Sequence, residues 1–230
     1  MIQGRDLEGW TIAFDLDGTL VESAPDLIGT LNRLLVLEGL PTRPVEAARH
    51  LVGHGAMALL KDGFREAGAD WDAARAPELL DAFIADYRQH LADHSHAFEG
   101  VATALDDLTA RGAILCVATN KRTDLSVALI EALGLTRHFA AIVGPDAVSA
   151  RKPDGAHIRE AVTMAGGDPA RAIMVGDSIT DTAAAIDAGV PCVVVSFGYT
   201  DRPAGELGGA CMIDAYGELG EAVTRISARA

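Results

Sequence analysis

Asp15, Leu16, Asp17, Gly18 and Thr19 follow directly on the apolar run Thr11 to Phe14. Two carboxylates spaced two apart, just beyond a strand, can share one rim if the chain turns there, and Gly18 permits that turn. Acids this close repel unless a cation or a proton neutralises them. A hard divalent ion meets that need, and magnesium favours carboxylate oxygen together with phosphate oxygen. An Asp-Gly turn after a strand is also an ordinary structural device, so the pair gains meaning from its company. Thr119 and Asn120 follow a second apolar run, Lys152 sits in a later loop, and Gly176-Asp177-Ser178 with Asp181 follows a further run. Each also has a plain structural use: Thr119 and Asn120 as helix caps, Lys152 as a solvated surface lysine, Asp177 and Asp181 as an acidic first helical turn. Taken together they put an acid pair, a hydroxyl, an amine and a further acid at or just after successive strand ends, converging on one rim.

The elements that must position these groups are legible as short apolar runs alternating with helical stretches. Strands are expected at Thr11 to Phe14, Ala113 to Ala118, Ala140 to Val143, Ala172 to Val175, Pro191 to Ser196 and Ala210 to Ile213. Their apolar residues run on without alternation, as in a parallel sheet covered on both faces. Helical patterns at Thr123 to Leu133, Asp154 to Ala165 and Asp181 to Ala188 each stop at glycine. The fold class is therefore α/β, a doubly wound parallel sheet with a Rossmann-like core. Function in such a sheet collects at the carboxyl ends of the strands.

Between the first and second strands lie roughly 90 residues, where a simple crossover needs a dozen or more. Helical periodicity covers Pro25 to Leu37, Pro44 to Leu51, Ala56 to Glu66 and Glu78 to Leu91. The reading is a small α-helical cap at residues 21–93 inserted into a core of residues 1–20 plus 94–230.

Composition narrows the function classes. The chain has 230 residues, 49% of them hydrophobic, and a formal charge of −14. So acidic a chain, with no visible basic patch, argues against nucleic acid and anionic lipid as partners. No apolar run approaches the ~20 residues that span a bilayer, and Met1 to Trp10 lacks a signal-peptide pattern. A cytoplasmic location is expected. Three cysteines, Cys116, Cys192 and Cys211, lie in separate apolar runs and read as free thiols. The only lysines are Lys61, Lys121 and Lys152. An anionic substrate would have to find its positive charge locally.

The run Phe14-Asp-Leu-Asp-Gly-Thr-Leu-Val-Glu-Ser23 resembles the first signature of the haloacid dehalogenase-like hydrolase superfamily. Thr119-Asn120, Lys152-Pro153 and Gly176-Asp177-Ser178-x-x-Asp181 are similar to its second, third and fourth, in order and at strand ends. The helical insertion, with Ser23-Ala-Pro-Asp-Leu27 and Val52-Gly-His-Gly55, looks like the phosphoglycolate phosphatase branch. The resemblance implies Asp15 as a nucleophile that becomes phosphorylated. It implies Asp17 as the acid for the leaving oxygen and then the base for water. It implies Mg2+ held by Asp15, the Asp17 carbonyl and Asp177, with Thr119, Asn120 and Lys152 on the phosphate. Gly18, Ser178 and Asp181 would support them, Asp181 by orienting Lys152 or the metal's waters. An acid two residues after the nucleophile matches the phosphatases and phosphomutases.

Within the insertion, Gly53-His54-Gly55 reads as a loop closing over the substrate with His54 in contact, or as a simple turn between helices. Arg49 and Lys61 are weaker candidates for a substrate carboxylate. His90, His94 and His96 read as a solvated hinge rather than a metal site. The expected partner is a small phosphorylated metabolite, and the protein a monomer or homodimer. The expected activity is a magnesium-dependent phosphatase, with 2-phosphoglycolate as one candidate substrate. A phosphosugar mutase, a pyrophosphatase and a non-enzymatic phosphoacceptor module are the competing readings.

Overall fold

The computed structural model describes residues 5–200 and 202–229. In chain order its elements are β1 (Thr11–Phe14), β2 (Val21–Glu22), α1 (Ala24–Leu37), α2 (Val45–Ala48), α3 (Ala56–Glu66), α4 (Ala76–Gln89), β3 (His96–Ala97), α5 (Val101–Ala110), β4 (Ile114–Ala118) and α6 (Thr123–Ala132). There follow β5 (Ala141–Val143), α7 (Ala156–Met164), β6 (Ala172–Gly176), α8 (Ile179–Ala188), β7 (Cys192–Val195), β8 (Cys211–Ile213) and α9 (Leu219–Ser227).

Six strands form one parallel sheet in the order β5-β4-β1-β6-β7-β8. Alternate side chains of each strand bury on opposite faces. Ile12, Phe14, Leu115, Val117, Ile173 and Val175 join the core beneath α5 and α9. Ala13, Cys116, Ala118, Met174 and Val194 join the core beneath α7 and α8. Both faces being covered explains the unbroken apolar runs. The chain steps outward from β1 to β4 and β5, then returns to the other side of β1 at β6. That reversal puts a crevice at the carboxyl end of β1.

The helices α1 to α4 build a separate apolar cluster around Leu31, Leu35, Leu60, Phe64, Phe83 and Tyr87, to which Leu125 and Tyr199 also belong. The chain leaves and re-enters the sheet layer through β2 and β3, which pair antiparallel, Val21 to Ala97 and Glu22 to His96. Helix α1 begins on Ser23 and Pro25, but the Ser23 side chain makes no cap bond. The Tyr199 hydroxyl takes that place, accepting from the Ser23 and Ala24 backbone N–H groups at 2.7 and 3.0 Å. It donates in turn to Glu22 Oε1 at 2.7 Å. The buried Asp26 carboxylate secures the returning chain, accepting from the N–H groups of His94 and Ser95 at 3.0 and 2.7 Å.

Three of the expected helices start two residues away, the one expected at Glu78 beginning at Ala76. The one expected at Asp154 begins at Ala156. The one expected at Asp181 begins at Ile179, with the Asp181 carboxylate accepting from the Ser178 N–H at 3.1 Å. The stretch Pro44 to Leu51 forms a four-residue α-helix and then a 3-10 turn, rather than one helix.

Candidate active site

Asp15 continues β1, donating its N–H to the Val175 carbonyl at 2.9 Å. Thr119 continues β4 in the same way, toward the Val143 carbonyl at 3.0 Å. Asp177 follows β6 directly. Three neighbouring strands thus deliver an acid, a hydroxyl and an acid to one crevice. Lys152 arrives from the loop between β5 and α7, and the Asn120 side chain braces that loop by donating to the Lys152 carbonyl at 3.1 Å.

Lys152 is only 1% exposed, with its ammonium 2.8 Å from Asp15 Oδ1 and 2.7 Å from Asp181 Oδ1. The contact to Asp181 is a hydrogen bond. The contact to Asp15 is close but off hydrogen-bond alignment, which leaves Asp15 Oδ1 without a hydrogen-bond partner. Asp181 is fully engaged, its second oxygen accepting from the Asp177 and Ser178 N–H groups and the Ser178 hydroxyl. Its place is to hold Lys152 and the Asp177 turn.

Asp177 accepts from the Thr19 hydroxyl at 3.2 Å and from the Tyr199 N–H at 2.7 Å. The backbone crowds it. Gly18 has φ +80°, and a Cβ there would come within 2.5 Å of Asp177 Oδ2. A Cβ on Gly198 would run into the Asp177 side chain from the other side.

Asp17 faces another way. Its carboxylate accepts from the Ser23 hydroxyl at 2.5 Å and from the Lys121 ammonium at 2.9 and 3.0 Å. Lys121 is buried, 4.6 Å from the centre of the Tyr87 ring on α4. The Tyr87 hydroxyl is itself buried with no hydrogen-bond partner.

Four buried carboxylates, Asp15, Asp17, Asp177 and Asp181, thus meet two buried ammonium groups, Lys121 and Lys152. The excess negative charge leaves its mark. Burial raises Asp15 to about 6 against the opposing pull of Lys152. Burial, then the charges of Asp181 and Asp15, push Asp177 well above the carboxylate range. Burial would lower both lysines, but Asp15 and Asp181 hold Lys152 up, and Asp17 holds Lys121 up. One oxygen each from Asp15, Asp177 and Asp181 lies within 4.8 Å of the others. Hard oxygen donors, an unpartnered Asp15 Oδ1 and a surplus of negative charge fit a divalent cation. Asp181 spends its oxygens on Lys152 and on three donors of the Asp177 turn, whereas Asp15 and Asp177 have fewer partners and are the better placed to take a cation.

Between this rim and the helical layer lies a cavity of about 70 Å³, lined by Asp15, Asp17, Thr119 and Asn120 below, by Val52, Gly53, Gly55, Phe83 and Tyr87 above, and by Lys121, whose ammonium reaches up to the Tyr87 ring. A wider cleft of about 400 Å³ at Phe98, Phe197 and Tyr216 holds none of the motif residues. Of the sequence expectations, the structure gathers Asp15, Asp17, Thr119, Asn120, Lys152, Asp177, Ser178 and Asp181. It does not bring the His54 side chain to the cavity. His54 is exposed, and its carbonyl accepts from Arg151 at 2.9 Å, while the flanking Gly53 and Gly55 line the space. Arg49 is turned to Glu22 at 2.5 Å and the Tyr199 ring, and Lys61 is exposed. Lys121, Tyr87 and Tyr199 are the residues sequence reasoning missed. Lys121 alone carried a signal, as a lysine just past a strand in a lysine-poor chain. His90, His94 and His96 form no shared cluster among the described residues.

A reversing parallel sheet with acids, hydroxyl and amine at its switch point places the protein in the doubly wound α/β class with a buried, charged site at the strand ends. The chain is 51% identical over 212 residues to a phosphoglycolate phosphatase of Caulobacter vibrioides, covering 92% of this chain and 90% of that one. It is 42% identical over 208 residues to a phosphoglycolate phosphatase of Mesorhizobium japonicum, covering 90% and 92%. A crystal structure described as a predicted phosphoglycolate phosphatase from Haemophilus somnus superposes with a TM-score of 0.84 at 28% identity, covering 96% of this chain and 99% of that one. The chain belongs to the haloacid dehalogenase-like hydrolase family, which it matches over residues 12–195.

Proposed function

We propose that this chain is a magnesium-dependent phosphatase that hydrolyses 2-phosphoglycolate, or a phosphate ester of similar size, through a phosphorylated Asp15. The observation that carries the reading is the convergence of Asp15, Lys152, Asp177 and Asp17 at the end of the central strand, beneath a small cavity. The size of that cavity favours a short ester, since drug-sized ligands need ~300 Å³ or more. The name shared by the relatives supports the same substrate.

In this mechanism Asp15 attacks phosphorus in line and the ester oxygen leaves. Asp17, two residues on, protonates that oxygen and then takes a proton from the water that cleaves the aspartyl phosphate. Lys152, fixed by Asp181, offers positive charge to Asp15 and to the phosphoryl oxygens, with the Thr119 hydroxyl beside it. Asp15, Asp177 and the Asp17 carbonyl would hold Mg2+, which when bound shields the phosphate from the nucleophile. Residues 21–93 act as the cap that excludes water over a core of residues 1–20 and 94–230. Among the described residues no helix is long and apolar enough to cross a membrane; we take the enzyme to be cytoplasmic and a monomer or homodimer.

The test is phosphate release from 2-phosphoglycolate with and without Mg2+. Asp15→Asn should lose at least ~10⁴-fold in kcat, as loss of a covalent nucleophile does. Retained turnover would reject Asp15. Sugar isomerisation without net phosphate release would favour the mutase reading, and a phosphoaspartate stable for minutes the phosphoacceptor.

A further inference from the structure

Lys121 is the buried cation of the cavity wall, and Asp17 occupies it. Its ammonium reaches both oxygens of the Asp17 carboxylate, at 2.9 and 3.0 Å. The acid that must face the leaving oxygen is therefore clamped from the side. If Asp17 swings away, an ammonium is left unpaired in a buried place, which is strongly unfavourable. Something else must take Asp17's place.

The surroundings say what. Lys121 has three donors, and Tyr87, whose ring lies against its ammonium, has a buried hydroxyl with no aligned hydrogen-bond partner. An ammonium and an orphaned hydroxyl on one cavity wall suit an acceptor-only group, a carboxylate above all. Of the other cations, Arg49 is held on Glu22 and Lys61 is exposed; Arg122 lines the same cavity but is exposed and already paired with Asp124, which leaves Lys121 as its buried cation.

The geometry points to Lys121 and Tyr87 as the seat for a carboxylate on the alcohol part of the substrate, which displaces Asp17 from the ammonium and frees it to face the leaving oxygen. This rests on the reading of the chain as a phosphatase of short phosphate esters. Specificity and catalysis then share one ion-pair exchange. An ester without the second acid binds the phosphate site but leaves Asp17 clamped, so the carboxylate acts on kcat as well as on KM.

The experiment compares 2-phosphoglycolate with ethyl phosphate, which is of similar length and lacks the acid. The wild type should prefer 2-phosphoglycolate by ~100-fold or more in kcat/KM, the scale of a lost buried ionic partner. Lys121→Gln should lose ~100-fold on 2-phosphoglycolate and under ~10-fold on ethyl phosphate, collapsing the preference, and Lys121→Arg should restore part of it. Tyr87→Phe keeps the ring and the volume. It should cost 2-phosphoglycolate several-fold more than ethyl phosphate, and it carries the test if Lys121→Gln fails to fold. Equal losses on both esters in both variants would overturn the inference, since Lys121 would then only orient Asp17. A wild type with no preference would instead reject the substrate reading itself, and the inference with it.

Discussion

The floor and the roof of the cavity each contain one buried lysine on an aspartate, and they are held in different ways. On the floor, Lys152 bridges Asp15 and Asp181, and Asp181 is itself fixed by three donors from residues 177 and 178. Every member lies at the end of a strand or in the loop or helix next to one. At the roof, Lys121 holds one carboxylate and meets the helical layer through a tyrosine ring. That layer is also tied by Leu125 and Tyr199, which join its apolar cluster, and by polar contacts at its margins: Arg88 to Asp124, Arg151 to the His54 carbonyl, Tyr199 to the start of α1. The groups assigned to the phosphate are over-determined, whereas those assigned to the remainder of the substrate hang on single, exchangeable pairs. Lys152 is shared by two carboxylates, whereas Lys121 rests on Asp17 alone, which is held in addition only by the Ser23 hydroxyl.

This contrast can be broken by substitution. Lys152→Met strands two carboxylates in a buried site and should cost ~3–5 kcal/mol of stability in denaturant unfolding. Lys121→Met strands one and should cost less; the reverse order would break the contrast. The floor should also carry a pH dependence. Burial, then the charge of Lys152, lowers His157 to about 4 from its ordinary 6.5. Between these values the unfolded chain binds a proton that the folded chain refuses, so this stability is full above about 6.5 and is lost as pH falls toward 4. The loss amounts to roughly 3 kcal/mol. Asp15 and Asp177, which burial raises, act in the opposite sense over the same range, so the effect is read as the difference between urea unfolding of the wild type and of His157→Gln, which should lack the His157 contribution.

Smaller effects belong to the roof. Tyr199→Phe removes the hydroxyl that caps α1 and should cost ~1–2 kcal/mol in thermal unfolding, the scale of a lost helix cap. An unchanged melting temperature would mean that this tie is idle. His54→Ala should stay within ~0.5 kcal/mol in stability, as at other exposed positions, and leave KM for 2-phosphoglycolate unchanged. A large rise in KM would bring the histidine into the site after all.

The floor was legible in the sequence because each of its groups ends or follows an apolar run, so a local pattern marks its place at the rim. Asp15, Thr119 and Asp177 are of this kind. The roof was not, because its partners meet by tertiary packing. Tyr199 lies 176 residues from the N–H it caps, and nothing near either end announces the bond. Lys121 was visible as a cation past a strand, but its partner Tyr87 reads as one apolar position on an amphipathic helix. His54 misled for the opposite reason, since a glycine-flanked loop fixes where the backbone goes and not which way the ring turns. Strands β2 and β3, two residues each, are too short for alternation to reveal. The helices α5 and α9 were not anticipated, although their buried faces complete one side of the sheet core.

The middle position of β1 bears on how the protein is made. The strand that ends in Asp15 leaves the ribosome first, yet its hydrogen-bonded neighbours are residues 114–117 on one side and 172–175 on the other. Until about three quarters of the chain has emerged, one edge of that strand stays open. A polypeptide halted short of β6 would lack Asp177 as well as the second wall of the crevice, so the site is assembled only when the last edge of the opening strand closes.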